Sequence, residues 1–264
     1  MLVTATQYDA CSSKGYHGGI LMEAVILAGG LGTRLKPYTT VIPKPIVPVG
    51  EKAIMEIVIN QLASYGVKKI TVAVNHLAQL IMAYFGNGER YGLQIDYSME
   101  DKPLGTIGPL KLIKHLPENF LVMNGDILTD FDFESFFNQH IESESIATIA
   151  TYERDVKIDF GVLNYDGTTK KINRFTEKPT HHYSVSMGIY AFSKKILNYV
   201  PDNKAYGFDQ LMLDMIDQGE SIQSYPFDGY WLDIGRPDDY EKAGREYPLK
   251  KDIFCRRKAG NKKA

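Results

Sequence analysis

An apolar run that breaks into a glycine-rich loop is the feature that most constrains how this chain folds. Residues 24–27 are Ala-Val-Ile-Leu, and glycine then occupies positions 29, 30 and 32. Glycine lets the backbone turn tightly and lets its N–H groups approach an anion without a side chain in the way. Two cations, Arg34 and Lys44, follow close behind. Because backbone donors and two cations suit a polyphosphate, the sequence predicts a buried strand that leads into a nucleoside triphosphate site.

The spacing of this loop separates it from two other phosphate-binding loops. It reads G-G-x-G-T-R, which is neither the G-x-G-x-x-G of dinucleotide folds nor the G-x-x-x-x-G-K-[ST] of P-loops. With Pro43-Lys44-Pro45, the loop resembles the sugar-1-phosphate nucleotidyltransferases, and later motifs continue the resemblance from about Met22 to Ala243. The resemblance implies that the nucleotide-binding residues are Leu27, Ala28, Gly29, Gly30, Gly32, Thr33, Arg34, Lys44, Glu100 and Gly105.

Length and composition fit a globular enzyme, because 264 residues with 44% apolar and 23% charged side chains can bury a substantial core. The formal net charge of −2 gives no signal for nucleic acid. Two cysteines, Cys11 and Cys255, imply no disulfide framework or metal cluster. No run approaches a membrane span, and residues 1–21 lack the apolar core of a signal peptide. We therefore expect a cytoplasmic protein that does not enter membranes.

Three segments are predicted: an N-terminal extension (1–21), a nucleotidyltransferase domain (22–247) and a basic C-terminal tail (248–264). Apolar spacing in the domain predicts helices at 54–65, 77–85 and 133–140, alternating with strands at 69–74, 93–97 and 120–123. The second half is richer in strand signals, at 160–164, 172–175, 185–191 and 222–225. This pattern favours an α/β fold, with a Rossmann-like, mainly parallel mixed sheet and helices on both faces. Whether the chain forms a homo-oligomer is left open.

Asp126 follows the apolar strand predicted at 120–123 and lies opposite the triphosphate loop. An aspartate there can cap the following turn. It can also bind Mg²⁺, which takes few protein carboxylates and completes its octahedron with phosphate oxygens and water. Asp233, within the segment 230–235, offers a second carboxylate. The resemblance implies that Asp126 and Asp233 bind the metal together.

A Glu-Lys-Pro tripeptide at Glu177 and Lys178 is the next element, and taken alone it is typical of a surface turn. The resemblance implies that Glu177 binds sugar hydroxyls and that Lys178 binds the sugar phosphate. Both residue types suit those roles, since a carboxylate accepts from hydroxyls and an ammonium binds phosphate. The resemblance also implies a sugar pocket at Met187, Gly188 and Gly161, with Gly188 leaving room for the ring.

These parts predict a reaction in which a sugar 1-phosphate oxygen attacks the α-phosphorus of a nucleoside triphosphate and pyrophosphate leaves. A phosphomonoester loses its second proton at a pKa of about 6, so the nucleophile needs no general base. Positioning and charge neutralisation then carry the catalysis. We expect Arg34 at the leaving pyrophosphate, Lys44 near the α-phosphate and Lys178 on the incoming phosphate. Mg²⁺ would complete the site on Asp126 and Asp233.

The choice of base is predicted from residues 100–110, whose Leu-Gly-Thr-x-Gly-Pro core looks most like that of GDP-mannose pyrophosphorylases. The Glu100 carboxylate can accept the two adjacent donors of guanine, whereas uracil and thymine present one N–H between two carbonyls. GTP is therefore favoured, with UTP, dTTP and CTP as alternatives. The resemblance implies a mannose-type sugar 1-phosphate, and because the long C-terminal domain of many mannose enzymes is not found here, a manno-heptose or another bacterial-type surface sugar is also expected.

Two other classes of protein stay open. Asp130-Phe131-Asp132 fits the Asp-x-Asp pattern of metal-dependent glycosyltransferases that use a finished nucleotide-sugar. These residues precede an apolar helix and are expected to cap it, and Arg34 and Lys44 would then have no triphosphate to bind. The other class is a non-catalytic sensor that binds nucleotide-sugars. The chain disfavours this class because it keeps all the charged residues expected for catalysis, which are Arg34, Lys44, Asp126, Lys178 and Asp233.

Overall fold

The computed structural model describes residues 21–254. Predictions on residues 1–20 and 255–264, both cysteines included, lie outside the described residues. The strands are β1 (Glu23–Leu27), β2 (Pro48–Val49), β3 (Lys52–Ala53), β4 (Lys69–Val74), β5 (Gln94–Met99), β6 (Asn119–Asn124), β7 (Ile127–Thr129), β8 (Ala147–Lys157), β9 (Val162–Tyr165), β10 (Ile172–Thr176), β11 (Thr180–Ser193), β12 (Ile222–Phe227) and β13 (Trp231–Asp233). The α-helices are α1 (Ile54–Ser64), α2 (Ala78–Phe85), α3 (Phe133–Ser143), α4 (Phe208–Asp217) and α5 (Pro237–Lys250).

A seven-stranded sheet in the order β12-β8-β11-β6-β1-β4-β5 forms the centre of the molecule. Strand β11 runs antiparallel to both of its neighbours, and the other neighbouring pairs are parallel. Strand β1 therefore lies between β6 and β4, with the carboxyl ends of all three at one edge. The prediction of a mainly parallel mixed sheet is confirmed.

Successive residues of the central strands face two different hydrophobic cores. Ala24 and Ile26 of β1 belong to a core that includes side chains of α1, α2 and α3. Val25 belongs to a second core that includes side chains of α4 and of the 3-10 helix Gly108–Leu112. Alternate side chains of a strand point to opposite faces of the sheet, so a strand with a core on each side is covered on both faces. The prediction of helices on both faces of the sheet is confirmed. Among the helices of residues 21–254, none has the length and apolar character needed to cross a membrane.

A third, smaller core joins β13 to the end of the described chain. Leu232 of β13 packs in it with Tyr247 of α5 and with Phe254, and all three side chains are buried. Helix α5 runs through Pro248 to Lys250. Helix α5 and the packing around it therefore continue past residue 247, the position after which the sequence predicts a basic tail.

The distal halves of β8 and β11 leave the central sheet as an exposed two-stranded ribbon. Residues 180–186 of β11 pair there with residues 151–157 of β8. Between the two strands, β9 and β10 form a hairpin that is a sheet of its own. We call residues 153–184 the outer ribbon.

Candidate active site

A cavity of about 530 Å³ lies where β1, β4 and β6 end. Its wall consists of residues 27–35 with Lys44, Pro45, Ala73, Asn75, Glu100, Pro103, Gly105, Thr106, Pro109, Asn124, Gly125, Asp126 and Gly235. The structure thus brings every predicted nucleotide-binding residue into one wall, together with the predicted metal ligand Asp126. The carboxyl edge of parallel strands is the usual place for a ligand in such a sheet.

The glycine loop after β1 needs its glycines for two different reasons. Gly32 has φ of 61°, in the left-handed region, and the Thr39 hydroxyl donates to its carbonyl oxygen at 2.7 Å. Thr39 is buried and was not predicted as a site residue. Gly29 lies so close to Glu100 that an added Cβ would be 2.7 Å from Glu100 Oε1. The glycine loop is therefore fixed by a hydrogen bond from Thr39 at Gly32 and packs closely against Glu100 at Gly29.

Lys44 and Asp126 form an ion pair in the cavity wall. Lys44 opens the 3-10 helix Lys44–Ile46, and the preceding Pro43 is its N-cap in extended conformation. Asp126 lies in the short turn between β6 and β7. The two side chains are 14% and 19% exposed. The Asp126 Oδ1 atom is buried and has no hydrogen-bond partner in the protein, so this oxygen is available to a ligand.

Asp233 and Arg34 complete the charged cluster. Strand β13 pairs with β7, and the Ile234 N–H donates to the Asp126 carbonyl at 3.0 Å, which places the two aspartates side by side. A Cβ added to Gly235 would lie 3.3 Å from Asp233 Oδ2 and 3.8 Å from Arg34 Nη2. Burial, and then the Asp126 carboxylate, raise the pKa of Asp233, while Lys44 and Arg34 oppose that rise. The structure therefore brings the two predicted metal ligands together with both predicted phosphate-binding cations.

Glu100 follows β5 at the far end of the cavity. Its Oε2 accepts the Leu104 N–H at 2.9 Å, which closes the turn that leads to Gly105. Burial raises the pKa of Glu100. One carboxylate oxygen is thus bonded within the loop, and the other faces Gly29.

Met187 and Gly188 lie beside the cavity, at a register shift of β11 against β8. Gly188 has φ of 74°, and a Cβ on it would lie 2.5 Å from Asn124 Nδ2. The Trp231 indole N–H donates to the Met187 carbonyl at 3.2 Å. Gly188 is therefore required for close packing against Asn124, a residue of the cavity wall.

Gly161, Glu177 and Lys178 lie elsewhere, in the outer ribbon. A Cβ on Gly161 would be 3.1 Å from Glu177 Oε2, so these two residues are neighbours. Glu177 and Lys178 are exposed, and neither belongs to the cavity wall. Along β11, Thr180 and Gly188 are eight residues apart, with the register shift between Ser186 and Tyr190 falling at the Gly188 end. The structure thus divides the predicted sugar-binding residues into an inner pair and an outer group.

Two asparagines of the cavity wall were not predicted as site residues. Asn124 ends β6, and Asn75 directly follows β4 and donates to the Glu100 carbonyl at 3.3 Å. The signal that pointed to Asp126, a polar residue where a parallel strand ends, applies to both of them.

Both aspartates of the Asp-x-Asp pattern at residues 130–132 accept hydrogen bonds from backbone N–H groups. Asp132 is the N-cap of α3 and accepts the N–H groups of Glu134 and Ser135, each at 3.1 Å. Asp130 accepts the Tyr230 N–H at 2.8 Å. The expectation that Asp132 caps the following helix is confirmed, and the main support for a glycosyltransferase is weakened.

The fold is α/β and of the Rossmann-like class, with a cavity at the carboxyl edge of its central sheet. More narrowly, the chain belongs to the nucleotidyl transferase family, whose model matches residues 23–249.

Two curated relatives and one solved structure support that placement. The chain is 33% identical over 226 residues to a mannose-1-phosphate guanyltransferase of Yarrowia lipolytica and 36% identical over 244 residues to a UTP–glucose-1-phosphate uridylyltransferase of Synechocystis sp.. The alignments cover 83% and 85% of this chain, but 62% and 63% of those relatives, so the chain spans just over three fifths of their length. HddC from Yersinia pseudotuberculosis, complexed with GMP-PN, matches with a TM-score of 0.65 and 28% identity over 86% of this chain and 100% of that chain.

Proposed function

We propose that the chain transfers a nucleotidyl group from a nucleoside triphosphate, GTP by preference, to a sugar 1-phosphate of mannose or manno-heptose type, with release of pyrophosphate. The observation that carries the proposal is the cluster of Arg34, Lys44, Asp126 and Asp233 beside a glycine loop at the carboxyl edge of the sheet. Both reacting groups are phosphates, and this cluster combines two cations that can bind phosphates with two carboxylates that can hold a metal ion. We place the reaction in the cytoplasm, because that compartment supplies nucleoside triphosphates.

In the proposed reaction, an oxygen of the sugar 1-phosphate forms a bond to the α-phosphorus of the triphosphate while the bond to pyrophosphate breaks. The nucleophile is already ionised near neutral pH, so the chain needs no general base. Lys44, fixed by its ion pair with Asp126, binds near the α-phosphate. Arg34 neutralises the charge that develops on the leaving pyrophosphate. Lys178, which lies in the outer ribbon, binds the phosphate of the incoming sugar 1-phosphate.

The aspartate pair fits a magnesium ion. Asp126 Oδ1 is buried without a hydrogen-bond partner, Asp233 lies beside it, and carboxylate oxygens are the protein ligands that Mg²⁺ prefers. The charges of Arg34 and Lys44 are balanced by those of the two aspartates, so the cluster has no surplus positive charge for a triphosphate. When bound, Mg²⁺ would supply that charge at the phosphate oxygens. We propose Asp126 and Asp233 as its ligands.

The preference for GTP rests on Glu100 and on the relatives. The Yarrowia relative is a guanyltransferase, and the Yersinia structure contains GMP-PN. Glu100 lies at the cavity end beyond Gly29, where its carboxylate can accept the two donors of guanine. The Synechocystis relative, a UTP-dependent enzyme at 36% identity, favours UTP as the second candidate.

Glu100→Gln separates these two candidates. The glutamine carbonyl oxygen can still accept the Leu104 N–H, so the conformation of the loop is kept. The other carboxylate oxygen is replaced by an NH₂ group, which donates and cannot accept from guanine. We expect the ratio of kcat/KM for GTP over UTP to fall at least about tenfold, because a site built for particular donors discriminates strongly. Asp101→Asn, which changes the neighbouring exposed carboxylate, is the matched control and should leave the ratio unchanged. An unchanged ratio in Glu100→Gln would remove Glu100 from base recognition.

The reaction itself is tested by incubating the protein and Mg²⁺ with each of ATP, GTP, CTP, UTP and dTTP against a series of sugar 1-phosphates. Pyrophosphate release that requires both substrates supports the proposal, and the strongest signal is expected for GTP with a mannose-type sugar 1-phosphate. A Lys44→Met variant serves as the inactive control. Absence of pyrophosphate in every combination would overturn the proposed function.

A further inference from the structure

The loop at the base end of the cavity is attached to a segment about a hundred residues further along the chain. We call residues 100–109 the base loop. The Tyr206 N–H donates to the Leu104 carbonyl at 2.8 Å. The Tyr206 carbonyl in turn accepts the N–H groups of Ile107 and Gly108, both at 3.0 Å. Three backbone hydrogen bonds therefore join one residue, Tyr206, to both sides of the base loop.

The close approach of Tyr206 requires a glycine at position 105 of the base loop. Gly105 has φ of 79°, in the left-handed region, and a Cβ on it would lie 2.7 Å from the Tyr206 carbonyl oxygen. Any other residue would be strained and would push the two segments apart. Gly105 is therefore explained by the approach of Tyr206, in addition to its place in the cavity wall.

Tyr206 is in turn fixed to α4. Its side chain is 7% exposed and lies in the core that contains Ile107 and Met215. Its hydroxyl donates to Asp214 Oδ2, on α4, at 2.5 Å. A residue held by a buried ring and a charge-assisted hydrogen bond has little freedom to move, so it can serve as a fixed support for the loop.

A second attachment lies at the tip of the loop. Thr106 Oγ1 accepts the N–H of Phe208, the first residue of α4, at 2.8 Å. The Phe208 ring stacks on Tyr190 of β11, with centroids 4.4 Å apart. Thr106 belongs to the cavity wall, whereas Tyr206, Phe208 and Tyr190 do not. The exposed tip of the base loop is thus tied through α4 to the central sheet.

We propose that Tyr206 is a positioning residue for the nucleotide base. It acts through the backbone of residues 104–108, holding Glu100 and Thr106 at the cavity before the nucleotide arrives. A loop that is already ordered loses less conformational freedom on binding, and this raises affinity without a new contact. This inference rests on the proposed function, because it assigns the base to this end of the cavity.

Tyr206→Leu, compared with Tyr206→Phe, tests the proposal by steady-state kinetics. Leucine removes both the bond to Asp214 and the buried ring that fixes residue 206, and we expect the KM for GTP to rise about tenfold, mostly through the loss of the ring. The KM for the sugar 1-phosphate and kcat should stay within about twofold of wild type. Phenylalanine keeps the buried ring and should restore most of the GTP affinity. A residue that only stabilised the fold would lower the melting temperature without changing one KM selectively.

Thr106→Val and Thr106→Ser form a second pair that leaves the core intact. Valine has the shape of threonine but cannot accept the Phe208 N–H, and we expect a rise of about fivefold in the KM for GTP. Serine keeps the acceptor and should resemble wild type. Calorimetric titration with GTP and Mg²⁺ gives the affinity without turnover. Equal GTP affinity in wild type, Tyr206→Leu and Thr106→Val would overturn the positioning role, whereas a wild type that binds GTP but releases no pyrophosphate would overturn the proposed function alone.

Discussion

The cavity at the sheet edge and the outer ribbon differ in how firmly the chain holds their polar side chains. At the cavity, Lys44 and Asp126 are 14% and 19% exposed and form an ion pair. In the outer ribbon Lys178 is exposed, and the large side chains of Phe160 and Phe175 are 77% and 60% exposed. The cavity is built where three parallel strands end, whereas the hairpin of the outer ribbon is a separate two-stranded sheet. A two-stranded sheet alone is marginally stable in water.

This difference matches two different tasks in the proposed reaction. Neutralising a triphosphate is the same task for every sugar, and it requires charges fixed in place. Recognising a sugar differs from one substrate to another, and a two-stranded ribbon is a place where the chain can change without disturbing the sheet. Substitutions in the charged cluster of the cavity should therefore change the rate of the reaction, and substitutions in the ribbon should change the affinity for the sugar.

The largest effect is expected from Asp126→Asn. The change removes a proposed metal ligand and the negative charge that pairs with the half-buried Lys44, so turnover should fall by a factor of about 10³ or more. Asp130→Asn is the matched control, because an asparagine can still accept the Tyr230 N–H. Pyrophosphate release at saturating substrates measures both variants, with circular dichroism to verify the fold. A near-normal rate in Asp126→Asn would remove this residue from the metal site.

Arg34→Ala should have the next largest effect. Because the proposed partner of Arg34 is the leaving pyrophosphate, kcat should fall by about 10²–10³ while the KM for the sugar 1-phosphate stays constant. Lys36→Ala, which removes an exposed cation two residues away, should behave as wild type. If Arg34→Ala changed only the KM for the sugar, the assigned direction of the triphosphate would be wrong.

The stability of the protein should also depend on pH through His140 of α3, which contacts the proximal half of β8. His140 is buried and hydrogen-bonds Thr148 of β8 at 2.9 Å, and burial lowers its pKa to about 4. The unfolded chain protonates this histidine below its ordinary pKa near 6.5, so stability is lost as the pH falls from about 6.5 to 4, on the order of 3 kcal/mol. Urea unfolding of wild type and His140→Gln at several pH values measures this slope. His182→Gln, in the exposed ribbon, is the control, and equal slopes in wild type and His140→Gln would contradict the account.

Lys178→Met should have the smallest effect. The substitution keeps the length of the side chain and removes its charge, so the KM for the sugar 1-phosphate should rise about tenfold, as expected for one charge-assisted contact. The KM for GTP should not change. Lys171→Met, in the same hairpin, is the control. A large fall in kcat with an unchanged sugar KM would place Lys178 with the cavity residues and erase the contrast between the two regions.

The cavity could be predicted from the sequence because its residues lie where apolar strands end. Once β1 and β6 are neighbours, the geometry of a parallel sheet places Gly29 and Asp126 together. Asn75 obeys the same rule and was missed because its strand at 69–74 carried no recognised motif. Thr39 could not be found this way, since its hydrogen bond to Gly32 depends on how the loop folds back.

The outer ribbon and the end of the chain were harder to predict for physical reasons. The strand predicted at 185–191 extends to Thr180–Ser193, because its distal half is stabilised by pairing with β8 rather than by an apolar period. Basic composition predicts a tail from residue 248, whereas α5 runs to Lys250 and the buried ring of Phe254 stacks on Tyr247. Both features depend on contacts between distant residues, which local sequence patterns do not report.

Two radioactive labels reveal whether the sugar 1-phosphate attacks the α-phosphorus of a triphosphate bound in the cavity. Wild type is incubated with Mg²⁺, mannose 1-phosphate and GTP labelled with ³²P at either the α- or the γ-position. We expect the α-label to move into a nucleotide-sugar and the γ-label to appear in pyrophosphate, and we expect Lys44→Met to abolish both. Transfer of the γ-label to the sugar or to orthophosphate would contradict this expectation.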